Sequence, residues 1–239
     1  MHTSQHIYHH EKQALHGYLA YVGDVTHQRP AVLIVHDWSG QNAFARLKAE
    51  EMARLGYVGF ALDMYGEGKT GQTTEEKQTL MHPVASNRAF LQKRMHAALD
   101  AVTQLPMVDS QHIIVIGFCF GGLCALDLAR TGAHILGVAS FHGLLNAPNN
   151  LPHSTIHANI LVLHGYDDPM VQPEDVNTFC QEMTTAKANW QLHVYGQTQH
   201  AFMVPEARDR KLGTIYQPQT ATRAWQVFLN FLTELCPTS

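Results

Sequence analysis

Short runs of continuous apolar residues alternate with helical stretches along nearly the whole chain, and this alternation limits the fold more than any other feature. Ala31–Val35 (AVLIV), Tyr57–Leu62, Ile113–Ile116, Ile135–Phe141, Ile160–Leu163 and Trp190–Tyr195 read as strands. A strand that is apolar at successive positions, rather than at every second one, must be covered on both faces. Between the strands, Asn42–Gly56, Val84–Leu105, the segment from the Gly-rich GFCFGG to about Arg130, Pro173–Ala186 and Thr220–Leu235 read as helices. In the first of these, Phe44, Leu47, Met52 and Leu55 share a face, and Gly56 suits the C-terminal cap. The long helix stops before Pro106. The predicted architecture is α/β, a mainly parallel twisted sheet with helices on both faces. Leu15–Val22 is expected to add an antiparallel edge hairpin, Gly66–Thr74 to form a loop, and Gly143–Asn159 to be irregular.

Composition narrows the class further. The 239 residues carry no repeat and no linker-like tract, so one domain over 1–239 is expected. With 45% hydrophobic and 15% charged residues, the chain is too apolar for disorder. A net charge of -4 without a Lys/Arg run argues against a nucleic-acid or anionic-membrane partner. The longest apolar run, Ile113–Leu126, is too short to span a bilayer and holds three glycines. Cys119, Cys124, Cys180 and Cys236 are too sparse for a disulfide scaffold. The opening MHTSQHIYHHEKQ has no apolar core of a secretory leader, so a cytoplasmic protein with reduced thiols is expected. His2, His6, His9 and His10 lack a helical pairing with a carboxylate and are expected to lie in a flexible tail, holding no metal.

In parallel sheets ligands bind beyond the C-terminal ends of the strands, so the residues just after each strand carry the chemistry. After Val35 come His36, Asp37 and Trp38; after Leu62 come Asp63, Met64 and Tyr65. Gly117-x-Cys119-x-Gly121 follows the third core strand and has the spacing of a nucleophile elbow with Cys in place of Ser. Glycines two residues to either side remove side chains that would collide with the neighbouring strand and helix. The helix that follows points its N-terminus at the thiol, which favours thiolate, and the Phe120 N–H is placed to hold an oxyanion. The competing reading is a Gly-rich turn with a buried, inert cysteine. Cys124, Cys180 and Cys236 fall in helical segments and are expected to fill space. The order nucleophile, acid, histidine matches α/β-hydrolases, with Asp168 in HGYDDPMV and His200 in GQTQHAF. An imidazole supplies the base or cation a thiol needs, and a carboxylate at its other nitrogen fixes the tautomer. Asp168, placed at the turn by Pro169, is favoured over Asp167. His36, His142 and His164 also lie near strand ends and are expected to be satisfied polar residues of the sheet rim.

The segments VLIVHDWSGQN, GYVGFALDMYG, VIGFCFGG, LHGYDDPMV and HAF together resemble the dienelactone hydrolase family, over about Gly17 to Leu235. The resemblance implies an α/β-hydrolase fold and hydrolysis of a small-molecule ester or lactone without metal or organic cofactor. It implies Cys119 as nucleophile, Asp168 as orienting acid and His200 as base. The family's carboxylate after the first core strand, which contacts the resting thiol, falls at Asp37 here, one methylene shorter than the usual Glu. The second oxyanion N–H then falls to Trp38. Family members that act on chlorocatechol products grip a substrate carboxylate with arginines, one of them four residues beyond the histidine. That position is Val204. Lys77 and Arg88 are candidates for a second basic group, and Arg208 and Arg210 follow shortly after Val204. Two alternatives stand beside the hydrolase: a cysteine acyltransferase or thioesterase on the same fold, and a non-catalytic ligand-binding or redox-sensing protein.

Overall fold

Alternate residues of the predicted strands go to opposite faces of one sheet. In the computed structural model, which describes all residues but 150, 152, 153, 238 and 239, Ala31, Leu33 and Val35 join one buried cluster, and Val32 and Ile34 join the other. Both faces are apolar because both are covered. The strands are β1 (His2–His10), β2 (Gln13–Tyr21), β3 (Arg29–Val35), β4 (Val58–Ala61), β5 (Val108–Phe118), β6 (Gly137–Phe141), β7 (Asn159–Gly165) and β8 (Trp190–Tyr195). They form an eight-stranded sheet in the order β1-β2-β4-β3-β5-β6-β7-β8. From β4 to β8 every pairing is parallel, while β1–β2 and β2–β4 are antiparallel.

The helices are α1 (Ala43–Arg54), α2 (Thr74–Ala85), α3 (Arg88–Thr103), α4 (Phe120–Arg130), α5 (Pro173–Thr185) and α6 (Pro218–Leu235). Buried residues of α1 and α6 pack on one face of the sheet, and those of α3, α4 and α5 on the other. A short ribbon of β9 (Arg208–Asp209) and β10 (Thr214–Ile215) precedes α6.

Four expectations are corrected. The histidine-rich start is not a tail: it is β1, paired along its whole length with β2. The helix expected over 84–105 is two helices. Ser86 ends α2, and the Asn87 side chain caps α3 by accepting from the Phe90 N–H at 3.1 Å. The helix α2 starts earlier than expected because Thr73 and Glu76 form a reciprocal capping box, a signal legible in the sequence. The buried face of α1 is Ala45, Ala49, Met52 and Ala53, not the larger Phe44/Leu47/Leu55 stripe; Leu47 and Leu55 are exposed. The reason is close approach. A Cβ on Gly59 of β4 would lie 2.0 Å from the Ala49 carbonyl oxygen, so only a small-residue face fits against this strand. Within the stretch expected to be irregular, Gly143–Asn159, residues 150, 152 and 153 lie outside the described ones, and the rest up to β7 holds no helix or strand.

Candidate active site

The sheet ends converge on Cys119. It caps α4 with φ 54° and ψ −116°, a positive φ that a residue with a side chain rarely adopts and that concentrates at functional sites. Its N–H donates to the Phe141 carbonyl at 3.0 Å, so the turn is pinned to β6. The flanking glycines have the steric role their spacing suggests. A Cβ on Gly117 would lie 2.0 Å from the Gly121 carbonyl oxygen, and one on Gly121 would lie 2.2 Å from that of Val35. Phe120 is the first residue of α4, so its N–H has no helical acceptor four residues back and points out of the helix start beside Cys119.

Asp168 and His200 meet in a buried contact. The His200 Nδ1 hydrogen bonds Asp168 Oδ2 at 2.7 Å, and Asp168 Oδ1 accepts from the Met170 N–H at 2.8 Å. Both oxygens of the carboxylate are thus engaged, while Asp167 is exposed. The histidine loop is tied down from a direction the strand pattern did not reveal: the Ile215 N–H of β10 donates to the His200 carbonyl at 2.9 Å. Burial opposes a charge on His200, but the Cys119 thiolate and the Asp168 carboxylate outweigh it and push the ring up to about 10. Among the described residues Nε2 has no hydrogen-bond partner, so the link from His200 to Cys119 is chiefly one of charge. Cys119→Ser removes the larger of the two attractions. An NMR titration of this variant should find His200 well below its wild-type value; an unchanged value would assign the whole effect to Asp168.

The loop after β3 carries Asp37 and Trp38 and is built from a buried histidine. His36 Nε2 accepts from the Met64 N–H at 3.1 Å, so the ring proton sits on Nδ1 and is donated to the Asp37 carbonyl at 2.5 Å. Burial lowers the His36 pKa and keeps it in this neutral form. The Tyr65 hydroxyl donates to the Trp38 carbonyl at 2.9 Å, and the Tyr65 ring stacks on Phe120 at 6.0 Å. Tyr65 therefore braces both candidate oxyanion donors. Asp63 folds the loop that carries Tyr65 by accepting from the N–H groups of His16, Tyr65, Gly66 and Gly68. Asp37 Oδ1 accepts from the N–H and the hydroxyl of Ser39, the former at 2.8 Å; among the described residues it makes no hydrogen bond to Cys119.

The two basic candidates part company. Lys77 Nζ lies 5.5 Å from the centre of the Trp38 ring, at the loop after β3. Arg88 is committed elsewhere. Its guanidinium forks onto the fully buried Asp127, with Nε to Oδ2 at 2.5 Å, and donates to the Asn146 carbonyl at 3.0 Å. Asp127 also holds Arg130 at 3.1 Å, and Arg130 holds Glu182 at 2.8 Å. A buried carboxylate requires such partners. Of the rim histidines, His36 is satisfied as expected. His142 is not, since among the described residues neither ring nitrogen has a partner, nor has His164 Nδ1. Among the described residues no group of three or more His, Cys, Asp or Glu side chains could hold a metal ion, and no helix is long and apolar enough to cross a membrane.

A mostly parallel eight-stranded sheet with an antiparallel edge, helices on both faces and an elbow cysteine facing a His–Asp pair defines an α/β-hydrolase fold. The chain belongs to the dienelactone hydrolase family, whose model matches residues 11–236. It is a hydrolase of that family. It is 29% identical over 218 residues to a Bradyrhizobium protein named probable 2-oxo-3-(5-oxofuran-2-ylidene)propanoate lactonase, covering 87% of this chain and 85% of that one. It is 36% identical over 147 residues to an uncharacterized protein of Caenorhabditis elegans, covering 60% of this chain and 93% of that one. Among solved structures, a dienelactone hydrolase-like promiscuous phosphotriesterase from metagenomic libraries superposes with a TM-score of 0.91 at 31% identity, over 98% of both chains.

Proposed function

We propose that the chain, acting as one domain, hydrolyses small esters or lactones through a Cys119–His200–Asp168 triad. The observation that carries this reading is the pairing of a strained elbow cysteine with a buried imidazole that Asp168 orients. In the first half of the reaction the Cys119 thiolate attacks the carbonyl carbon, and the electron pair moves onto the oxygen. The N–H groups of Phe120 and Trp38 hold that oxyanion. Collapse breaks the carbon–oxygen bond, and the departing alkoxide takes the proton of the His200 imidazolium. In a lactone the alcohol stays tethered to the acyl group. In the second half, neutral His200 takes a proton from water as the water oxygen attacks the thioester. Thiolate leaves, the acid is released, and His200 is again charged beside the thiolate. Asp168 accepts the Nδ1–H throughout and keeps the same tautomer facing the reaction.

Steady turnover of p-nitrophenyl acetate tests this reading. A stoichiometric burst without turnover would favour an acyltransferase or a sensor thiol, and an inert Cys119 would favour a structural cysteine. Similarity to the promiscuous phosphotriesterase supports a second activity of the same thiolate, attack at phosphorus with loss of p-nitrophenolate from diethyl p-nitrophenyl phosphate. Release of p-nitrophenolate beyond one equivalent would establish it.

Asp37 stands beside the elbow in the register that pairs Val35 with Gly117. A carboxylate there opposes thiolate in the resting state. Asp37→Asn is therefore expected to speed iodoacetamide alkylation of Cys119 near neutral pH and to slow ester turnover. No change in either would reduce Asp37 to a loop residue that binds Ser39.

Substrate choice depends on the basic residues. With Val204 four residues beyond His200 and Arg88 committed to Asp127, no guanidinium fork is offered at those positions to a substrate carboxylate. Neutral lactones should compete well with carboxylated ones. A carboxylated lactone turned over orders of magnitude faster than its methyl ester would assign the anchoring role to Lys77 or to another cation.

A further inference from the structure

Across the sheet, Phe118 pairs with Phe141 and Phe141 with Leu163, and the ladder continues one row further. The Cys119 N–H donates to Phe141 and the His142 N–H to Leu163, at 3.0 and 2.9 Å. Cys119, His142 and His164 therefore stand side by side at the ends of β5, β6 and β7. His200 comes from the loop after β8. To act on Cys119 it must reach over β7 and β6, three strand spacings or about 14 Å in all. Asp168, from the β7 end, holds Nδ1. Beneath the span, just past the end of β6, stands His142. Its ring packs against that of His200 with centroids 5.2 Å apart and planes at 65°.

His142 is an unusual residue to spend on a core position. It is fully buried, and its other ring contacts are Phe118 at 6.1 Å and Phe202 at 5.1 Å. Neither of its nitrogens has a partner among the described residues, and a buried polar group left so is costly. Its backbone has φ 41°, a region in which His is tolerated better than bulky apolar residues. We propose that His142 is a positioning residue, an imidazole that props the His200 ring from the end of β6 and holds it on Asp168 while Nε2 exchanges protons with the groups reacting at Cys119.

The electrostatics agree with that geometry. The titratable group in ring contact with His142 is His200, the contacts from β5 and from the loop beyond His200 being the uncharged Phe118 and Phe202. Burial, and then the His200 charge, hold His142 well below the ordinary histidine range. A neutral ring attracts an adjacent imidazolium, whereas a second cation would repel it. The prop therefore works while His200 carries its proton, the state in which the ring must stay aligned for the leaving group.

This inference rests on the triad reading, so its test has an arm that needs no turnover. In the wild-type protein, the Nδ1–H of His200 bound to Asp168 is expected as a far-downfield proton resonance, and ¹⁵N-labelled His142 is expected to stay neutral across pH 5–8. An ordinary titration of His142 near 6.5 would overturn the proposal, even if no variant folded. His142→Ala and His142→Asn, the latter suited to a left-handed backbone, should lose or broaden the His200 resonance. They should lower kcat by roughly 10- to 100-fold with little change in KM. His142→Phe strains the backbone at φ 41° but restores the ring contact, and where it folds it should recover both. An unchanged resonance and kcat in the Ala and Asn variants would overturn the proposal, as would a folded Phe variant no better than Ala. If wild type turns over no ester while the resonance depends on His142, the hydrolase reading fails and the positioning role stands.

Discussion

Replacement of Cys119 by alanine is expected to abolish ester hydrolysis, a loss of at least about 10³-fold, while leaving thermal unfolding close to wild type. The side chain at 119 is half-buried and its backbone is pinned by Phe141, so deleting one sulfur removes chemistry and little packing. Nothing else at the start of α4 is a nucleophile: Phe120, Gly121, Gly122 and Leu123 offer no attacking atom. Steady-state assays with p-nitrophenyl acetate and a melting curve on the same sample check both halves. Near-normal turnover in Cys119→Ala would end the cysteine reading.

His200→Ala is expected to cost at least about 10²-fold, the lower range for a general acid–base group. Its structural consequence differs from that of the cysteine change. It leaves Asp168 Oδ2, fully buried, without its hydrogen-bond partner, so some loss of stability accompanies the loss of rate. Asp168→Asn, which keeps size but weakens the hold on Nδ1, separates the two effects. It should lower kcat with a smaller shift in melting temperature. If His142→Ala lost far more activity than His200→Ala, the base would have been placed on the wrong histidine.

The α/β class and the order of most core elements are legible without coordinates because they are local in origin. An all-apolar run such as Ala31–Val35 states how many of its faces are covered. A Gly-x-Cys-x-Gly turn states that two backbones pass too close for a Cβ. Asp168 and His200 are legible for a related reason: each sits just beyond a strand, and parallel strands deliver the residues at their C-terminal ends to one rim. Other local signals are equally present in the chain, notably the Thr73/Glu76 capping box of α2 and the Asn87 cap that divides α2 from α3, and the hydrophobic pattern alone passes over them.

Periodicity does not encode which partner a side chain meets. The α1 helix offers two faces to a sequence pattern, and the contact of Ala49 with Gly59 on a neighbouring strand chooses the one with small residues. Arg88 has the composition of a substrate anchor until Asp127, thirty-nine residues away and fully buried, takes its guanidinium. The histidines of β1 look like a tail until hydrogen bonds to β2 make them a strand. Tyr65 and His36 are ordinary residues in the chain, and they become braces of the loop that carries Asp37 and Trp38 only because β3 and β4 lie side by side. Such roles depend on desolvation and on contacts between residues distant in the chain. A residue pattern can place a group at the rim of the sheet, but only the packed molecule decides whether that group is free to act or is spent neutralising a buried charge.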